Sequence, residues 1–299
     1  MPSETSAGVR GIRRTAHRSA AGEVRRIERG RVIGLIERQP IVFDDPDTGR
    51  ETLRRMASVD HYNSWIYRRI RPYLGRRILE VGCGLGNMTG YFLDAELVVS
   101  IDRLRESVAL VQDQYRHLSN VEALEGDICD PALLPRLRSR SLDTAVCINV
   151  LEHVEDDVGA LRMMARAVEP NGRVVVLAPA GRRLYGSLDV GLGHYRRYDL
   201  PELRRKVEST GCKVEDAFYM NVAGIPGWFL NSRVLKRALL PRRMLGLFNL
   251  LAPLFDAAER VLRPPLGLSA VEVGRVPGAK TFDTKRGCAS ARERRETEA

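Results

Sequence analysis

The 299-residue sequence predicts an α/β fold, a doubly wound seven-stranded, mostly parallel sheet with helices on both faces and a helical insertion between the last two strands. Three observations carry this. The apolar run Ile78, Leu79 and Val81 ends in alternating glycines at Gly82, Gly84 and Gly86, the pattern of a buried strand that turns sharply at a ligand cradle. Short apolar runs then alternate with amphipathic ones as far as Leu177, and right-handed crossovers turn such an alternation into a parallel sheet. Hydrophobic residues make up 44% of the chain, ample for a core.

Residues 1–49 are rich in Arg, Gly and Ala with little periodic apolar content and read as a disordered basic tail. The folded domain is expected over 50–277. From Glu51 to Leu74, Met56, Tyr62, Trp65, Ile66 and Ile70 recur at helical spacing, broken by Pro72, so one or two helices lead into the sheet. Strands are expected at 76–81, 97–101, 121–124, 142–148, 173–177, 212–219 and 268–273. Helices are expected at 87–93, 103–117, 156–168 and 200–210, with a turn at Pro170-Asn171-Gly172. Two segments lengthen the pattern. Ala178 to Asp199 is a long connection after the fifth strand, rich in polar aromatics and arginines at the sheet's ligand edge. Met220 to Gly267 is the insertion, with helical runs around 228–240 and 244–262, apolar on one face and basic on the other. Residues 278–299 read as a second disordered, charged tail.

Composition narrows the function classes. The five cysteines lack C-x-x-C spacing, so neither a disulfide framework nor a zinc site is indicated, and no metal is expected. No run of ~18 apolar residues and no secretory leader pattern appear, which points to the cytoplasm. The net charge of +10 would suit nucleic acid, but much of the excess lies in the N-terminal tail and no recognition motif accompanies it. Nucleic acid is therefore not an expected partner.

The glycine turn must then be matched to a cofactor. Counting G-x-G-x-x-G from Gly82 puts Asn87 where the third glycine should stand, which argues against a dinucleotide. Glu80 stands two residues before Gly82 instead. Asp102 ends the next strand sixteen residues past Gly86, close to the ~20 at which an acid can accept both ribose hydroxyls. The run E-x-G-x-G-x-G (Glu80, Gly82, Gly84, Gly86) resembles the first motif of the class I S-adenosylmethionine-dependent methyltransferases. A carboxylate suits that cofactor, which carries an ammonium and a sulfonium and no phosphate. From about Arg54 to Val276 the chain is similar to the bacterial small-molecule enzymes of the ubiquinone/menaquinone C-methylase-like group, through YNxW, LEVGCGxGNxT, NVLEH, LYGSLD, GHYRRY and PGWxLNxR. The resemblance implies a Rossmann-like fold and S-adenosyl-L-methionine as cofactor. It also implies that Asp127 faces the adenine amino group with Ile128 flanking the ring, that Asn149 borders the transfer site, and that Tyr62 on the leading helix covers the cofactor.

His153 and His194 are the candidate catalytic residues, because histidine titrates near neutral pH; the alternative for His153 is that it only orders its loop. Tyr185, Tyr195, Arg196, Arg197 and Trp228 are candidate substrate residues. Arginine forks hold carboxylates or phosphates, so the expected small-molecule acceptor is an acidic amphipathic metabolite of secondary metabolism, methylated on O or C. The alternative for the arginine pair is that it binds Asp199 or Glu202 and caps the following helix. For the whole chain, the competing readings are a non-catalytic S-adenosylmethionine-binding protein and a membrane-associated lipid or prenyl methyltransferase. The insertion is accordingly expected to be a substrate lid, with a peripheral membrane anchor as the other option. A nucleic-acid amino-methylase would want N-P-P-Y where this chain reads Asn149-Val150-Leu151-Glu152.

Overall fold

Seven strands form one sheet in the computed structural model, which describes residues 48–278. They are β1 (Arg77–Val81), β2 (Leu97–Asp102), β3 (Val121–Glu125), β4 (Leu142–Ile148), β5 (Val168–Pro179), β6 (Lys213–Met220) and β7 (Ser269–Arg275), in the spatial order β3-β2-β1-β4-β5-β7-β6. All neighbours from β3 to β5 are parallel, and β7 runs antiparallel between β5 and β6. The strand order reverses between β1 and β4. That switch point opens a crevice at the strands' carboxyl ends, where open α/β sheets take their ligands.

The helices are α1 (Thr48–Ala57), α2 (Asp60–Ile70), α3 (Arg105–Tyr115), α4 (Leu134–Arg138), α5 (Asp157–Ala167), α6 (Ser187–Leu192), α7 (Leu200–Ser209), α8 (Gly224–Phe229) and α9 (Arg242–Leu262). Side-chain alternation along the strands divides the core into two layers. Leu79, Val99, Ala145, Cys147 and Val176 pack with Leu137 of α4, Leu161 and Met164 of α5, and Leu203 and Val207 of α7. Ile78, Val98, Val146, Val175 and Val271 pack on the other face with Trp65, Ile66 and Ile70 of α2 and Ala252 of α9.

Three expectations are corrected. Residues 87–93 form no α-helix, only a single 3-10 turn at Thr89–Tyr91. Thr89 is fully buried with its hydroxyl committed to Glu80, and Gly90 follows it, so nothing propagates a helix from there. The turn at Pro170-Asn171-Gly172 lies inside β5. Asn171 takes φ 66 there, and the β4–β5 register shifts between Leu142 and Thr144. The first helical run of the insertion is not one helix over 228–240: α8 is followed by a π-helical stretch, Leu230–Val234.

Within the insertion, α9 lies along α2, with Tyr62 and Phe248 edge to face at 5.7 Å. Its buried side carries two acids. Asp256 pairs with Arg68 at 2.9 Å and Arg260 at 3.0 Å, and Glu259 accepts the backbone N–H groups of Asn221 at 2.9 Å and Val222 at 2.7 Å. No helix among the described residues is long and apolar enough to cross a membrane. The four described cysteines, Cys83, Cys129, Cys147 and Cys212, are free thiols. The expected tails lie outside the described residues, apart from the first two residues of α1 and Gly278.

Candidate active site

The glycine turn after β1 has the backbone that only glycine adopts readily. Gly82, Gly84 and Gly86 have φ of 76°, 53° and 74°. A Cβ on Gly82 would also stand 2.3 Å from Val150, so the turn presses against the segment that follows β4. Asp102 ties this turn to the next one: its carboxylate accepts the N–H of Gly84 at 2.8 Å and of Leu104 at 2.9 Å. Asp127, two residues past the end of β3, accepts the N–H of Cys129 at 2.8 Å, and Asn149, exposed at the end of β4, takes φ 51°.

Glu80, Ile128 and Tyr62, expected beside the cofactor, are all buried. Glu80 is buried, and one of its oxygens accepts the hydroxyls of Thr89 at 2.7 Å and Ser100 at 2.6 Å. Loss of water raises its pKa to about 7, against which the two hydroxyls work. It therefore braces the glycine turn from below. Ile128 is enclosed in the core beside Leu133 and Leu134. Tyr62 is buried against Trp65 and Phe248, with Ser269 and Asn221 near its hydroxyl.

A second constellation lies beyond the ends of β4 and β5. Its centre is Asp189, fully buried in the first turn of α6, which reaches back to the N–H of Gly186 at 2.9 Å. Its other oxygen meets Nδ1 of His194 at 2.9 Å and accepts Nε of Arg197 at 2.7 Å. Burial alone would raise the Asp189 pKa, but the His194 hydrogen bond and the Arg197 charge hold it below the usual carboxylate range. Arg197 also donates to the carbonyl of Ala180 at 2.8 Å and lies over the Trp228 ring, 4.4 Å from its centroid. On its far side His194 faces Glu152, with Nε2 3.9 Å from a carboxylate oxygen, and its ring meets that of His153 edge-on at 4.8 Å. Burial lifts the Glu152 pKa to about 8; removal of water and then the proximity of His194 lower that of His153 to about 4. Glu152, His153 and His194 bring three ligand-type atoms within 4.8 Å of one another, a set that could also hold a metal ion.

The arginine pair divides its tasks, and neither member takes the expected partner. Arg196 pairs with Asp157 at 2.9 Å and donates to the carbonyl of Glu155, while Arg197 belongs to Asp189. Asp157 also receives the Tyr198 hydroxyl at 2.9 Å and Lys206 at 2.9 Å. Tyr185 donates to the carbonyl of His194 at 2.7 Å, and Tyr195 is exposed. The sequence reading missed Glu152, Asp157 and Asp189. A signal existed for Asp189, since an acid three residues after Gly186 at the head of an apolar run suits the first turn of a helix, where its carboxylate can accept a free backbone N–H. Around this cluster three polar atoms are buried with no hydrogen-bond partner: Oε2 of Glu152, Nη2 of Arg197 and Nε1 of Trp228.

Residues 79–176, from β1 to β5, match the family described as Methyltransferase domain. A Mycolicibacterium smegmatis protein named as a probable S-adenosylmethionine-dependent methyltransferase is 29% identical over 178 residues, 57% of this chain and 66% of that protein. A ubiquinone biosynthesis O-methyltransferase from Paracidovorax citrulli is 34% identical over 116 residues, 35% of this chain and 44% of that protein. The chain thus spans less than two thirds of either relative. Among solved structures, the S-adenosylmethionine-dependent methyltransferase from Mesorhizobium loti aligns with a TM-score of 0.50 at 15% identity, over 73% of this chain and 100% of its own. The [4+2]-cyclase SpnF aligns with a TM-score of 0.51 at 19% identity, over 73% and 81%. At these identities the structural likeness speaks for the fold.

Proposed function

We propose that this chain, a member of the class I S-adenosylmethionine-dependent methyltransferases with S-adenosyl-L-methionine as its cofactor, methylates a small amphipathic acceptor whose attacking oxygen or carbon is activated by loss of a hydroxyl proton. The donor set suits the cofactor. Carboxylates at the ends of β2 and β3 and an open glycine turn fit a cationic, hydroxylated nucleoside. Asp102 would take the ribose hydroxyls, Asp127 the adenine edge, and the turn at Gly82 and Gly84 would let the backbone come close. When bound, the cofactor supplies an electrophilic methyl group, and the protein's share is to position the acceptor and exclude water.

The observation that carries the acceptor reading is the group of unpartnered buried atoms on Glu152, Arg197 and Trp228 around His194. Leaving such a polar group without a partner costs ~1–3 kcal/mol, a cost that a bound acceptor would relieve. Nη2 of Arg197 and Nε1 of Trp228 are both donors, which favours an anionic or carbonyl oxygen on the acceptor. His194 is the better base. Asp189 holds the Nδ1 side of the ring, which leaves Nε2 with the lone pair to receive the acceptor's proton. His153, with its depressed pKa, stays neutral at pH 7 and helps to shape the site. The O-methyltransferase name of the Paracidovorax relative is consistent with hydroxyl chemistry.

The test uses methyl-labelled cofactor and a panel of acidic, amphipathic hydroxy-aromatic acceptors. His194→Gln should lower kcat by ~10²–10⁴-fold while calorimetry shows unchanged cofactor affinity, and His153→Gln should cost far less. If no acceptor is labelled, the methyl-transfer reading fails. If His194→Gln retains wild-type kcat, the assignment of the base fails.

A further inference from the structure

We propose that the solvent face of the insertion, from Phe229 along α9, is a docking surface for an anionic phospholipid bilayer. α9 is apolar on both sides, since its inner side packs Phe248, Ala252 and Phe255 against the core. Its buried side holds Asp256 and Glu259, yet its outer side carries Leu247, Leu250, Leu254 and Val261, which are 60%, 68%, 65% and 84% exposed. These recur at helical spacing, so they form one stripe. Phe229, Leu230, Val234 and Leu235 extend the exposed apolar surface on the preceding segment, which joins α9 where Asn231 meets the Met244 sulfur at 3.3 Å. Isolated exposed leucines are ordinary on soluble proteins, but a continuous row of them marks an interaction surface.

The charge pattern selects the occupant. Within 221–267 the only acids are Asp256 and Glu259, both buried and engaged. The exposed charges are Arg233, Lys236, Arg237, Arg242, Arg243, Arg260 and Arg263, all positive. Arg260 is held by Asp256, and Arg242 reaches Glu51 at 2.9 Å; Lys236 and Arg243 are exposed beside the apolar row. A helix that shows leucines between cations and no exposed acid fits the interfacial plane of an anionic leaflet. A self-associating apolar face would set these like charges against each other in a two-fold dimer. Since no described helix can span a bilayer, the contact would be peripheral. Trp228, stacked on Arg197, places the same insertion beside the candidate acceptor site, but the docking itself does not depend on that assignment.

The experiment is co-sedimentation of the full chain with phosphatidylcholine vesicles, with and without about one third phosphatidylglycerol, alongside sedimentation velocity of the free protein. The anionic vesicles should retain the protein and neutral ones should not, and ~0.5 M salt should release most of it. The double variant Lys236→Ala/Arg243→Ala should weaken binding ten- to thirty-fold, since each basic residue near an anionic surface contributes about fivefold. Leu250→Glu/Leu254→Glu should abolish it while leaving the melting temperature near wild type, because both side chains are exposed. Equal binding to neutral and anionic vesicles would overturn the proposal, as would no binding at all. A stable dimer that Leu250→Glu/Leu254→Glu dissociates, without vesicle binding, would reassign the face to a second copy of the chain.

Discussion

Asp102 is a scaffold residue in the structure, and the proposed function gives it a second task at the cofactor. Its two oxygens already hold the N–H groups of Gly84 and Leu104, so the carboxylate keeps the glycine turn against the head of α3 before any ligand arrives. Asp102→Ala should therefore weaken S-adenosyl-L-methionine by at least tenfold in calorimetry and also lower the melting temperature, because two backbone donors lose their acceptor. Asp102→Asn keeps an acceptor oxygen for one of them and should lose less stability than affinity. Gly84→Val adds a β-branched side chain at φ 53°, where such residues are strained by ~1–2 kcal/mol or more, and should fail to bind the cofactor. The place of Asp102, at the end of β2 beside the glycine turn, was legible in the sequence because strand, turn and spacing are local properties. Glu80 was legible as an acid at the right place but not as a buried one. Its surroundings come from Thr89 and from Ser100 on the neighbouring strand, and spacing along the chain does not show which hydroxyls a carboxylate will meet.

At the scale of elements, the connection from β5 to α7 is held by ion pairs rather than by apolar packing alone. Arg197 is enclosed with Asp189, and Arg196, partly exposed, pairs with Asp157. Removing one member of a buried pair strands the other, at ~3–5 kcal/mol, so Arg197→Ala should unfold at a much lower temperature and lose activity with it. Arg196→Ala leaves Asp157 with Lys206 and Tyr198, and should cost no more than about 1–2 kcal/mol in denaturant titrations. Equal losses for the two variants would show that this division of tasks is wrong. The strands and long helices were readable because period and length decide them, and the bounds of β1 to β4 fall within a residue of expectation. The connection was read as a ligand edge, but its wiring was not readable. Arg196 meets an acid at the head of α5, on a different βα unit, and only the sheet's crossovers bring the two together.

For the whole molecule, several buried carboxyls set how stability responds to pH. Burial raises Glu80 and Glu272 to about 7 and Glu152 to about 8, from an ordinary value of 4.5. Between 4.5 and those values the folded chain holds protons that the unfolded chain has released, so each group makes stability fall as pH rises, and the loss is complete above its folded pKa. His153 works in the opposite direction. With its pKa lowered from 6.5 to about 4, it remains neutral in the fold where the unfolded chain takes up a proton, so stability rises with pH across that window. Glu259 is raised as well, so four buried carboxyls stand against one imidazole that is exposed, and the net effect is a decline from about pH 5 toward pH 8. Asp157 and Asp189, both lowered, give stability that is present above about pH 4 and lost as pH falls below it. The melting temperature should therefore peak on the mildly acidic side and fall toward pH 8, as the unfolding free energy drops by on the order of a kcal/mol per pH unit for each net proton. Glu272→Gln is the cleanest probe, because both of its oxygens are buried without a hydrogen-bond partner and it lies in β7, away from the ligand turn. That variant should match wild type near pH 4.5 and exceed it progressively up to pH 7, with a constant gain beyond. A gain of equal size at every pH would mean that Glu272 is ionised throughout, and that its exposed neighbour Arg204, 3.6 Å away, already neutralises it.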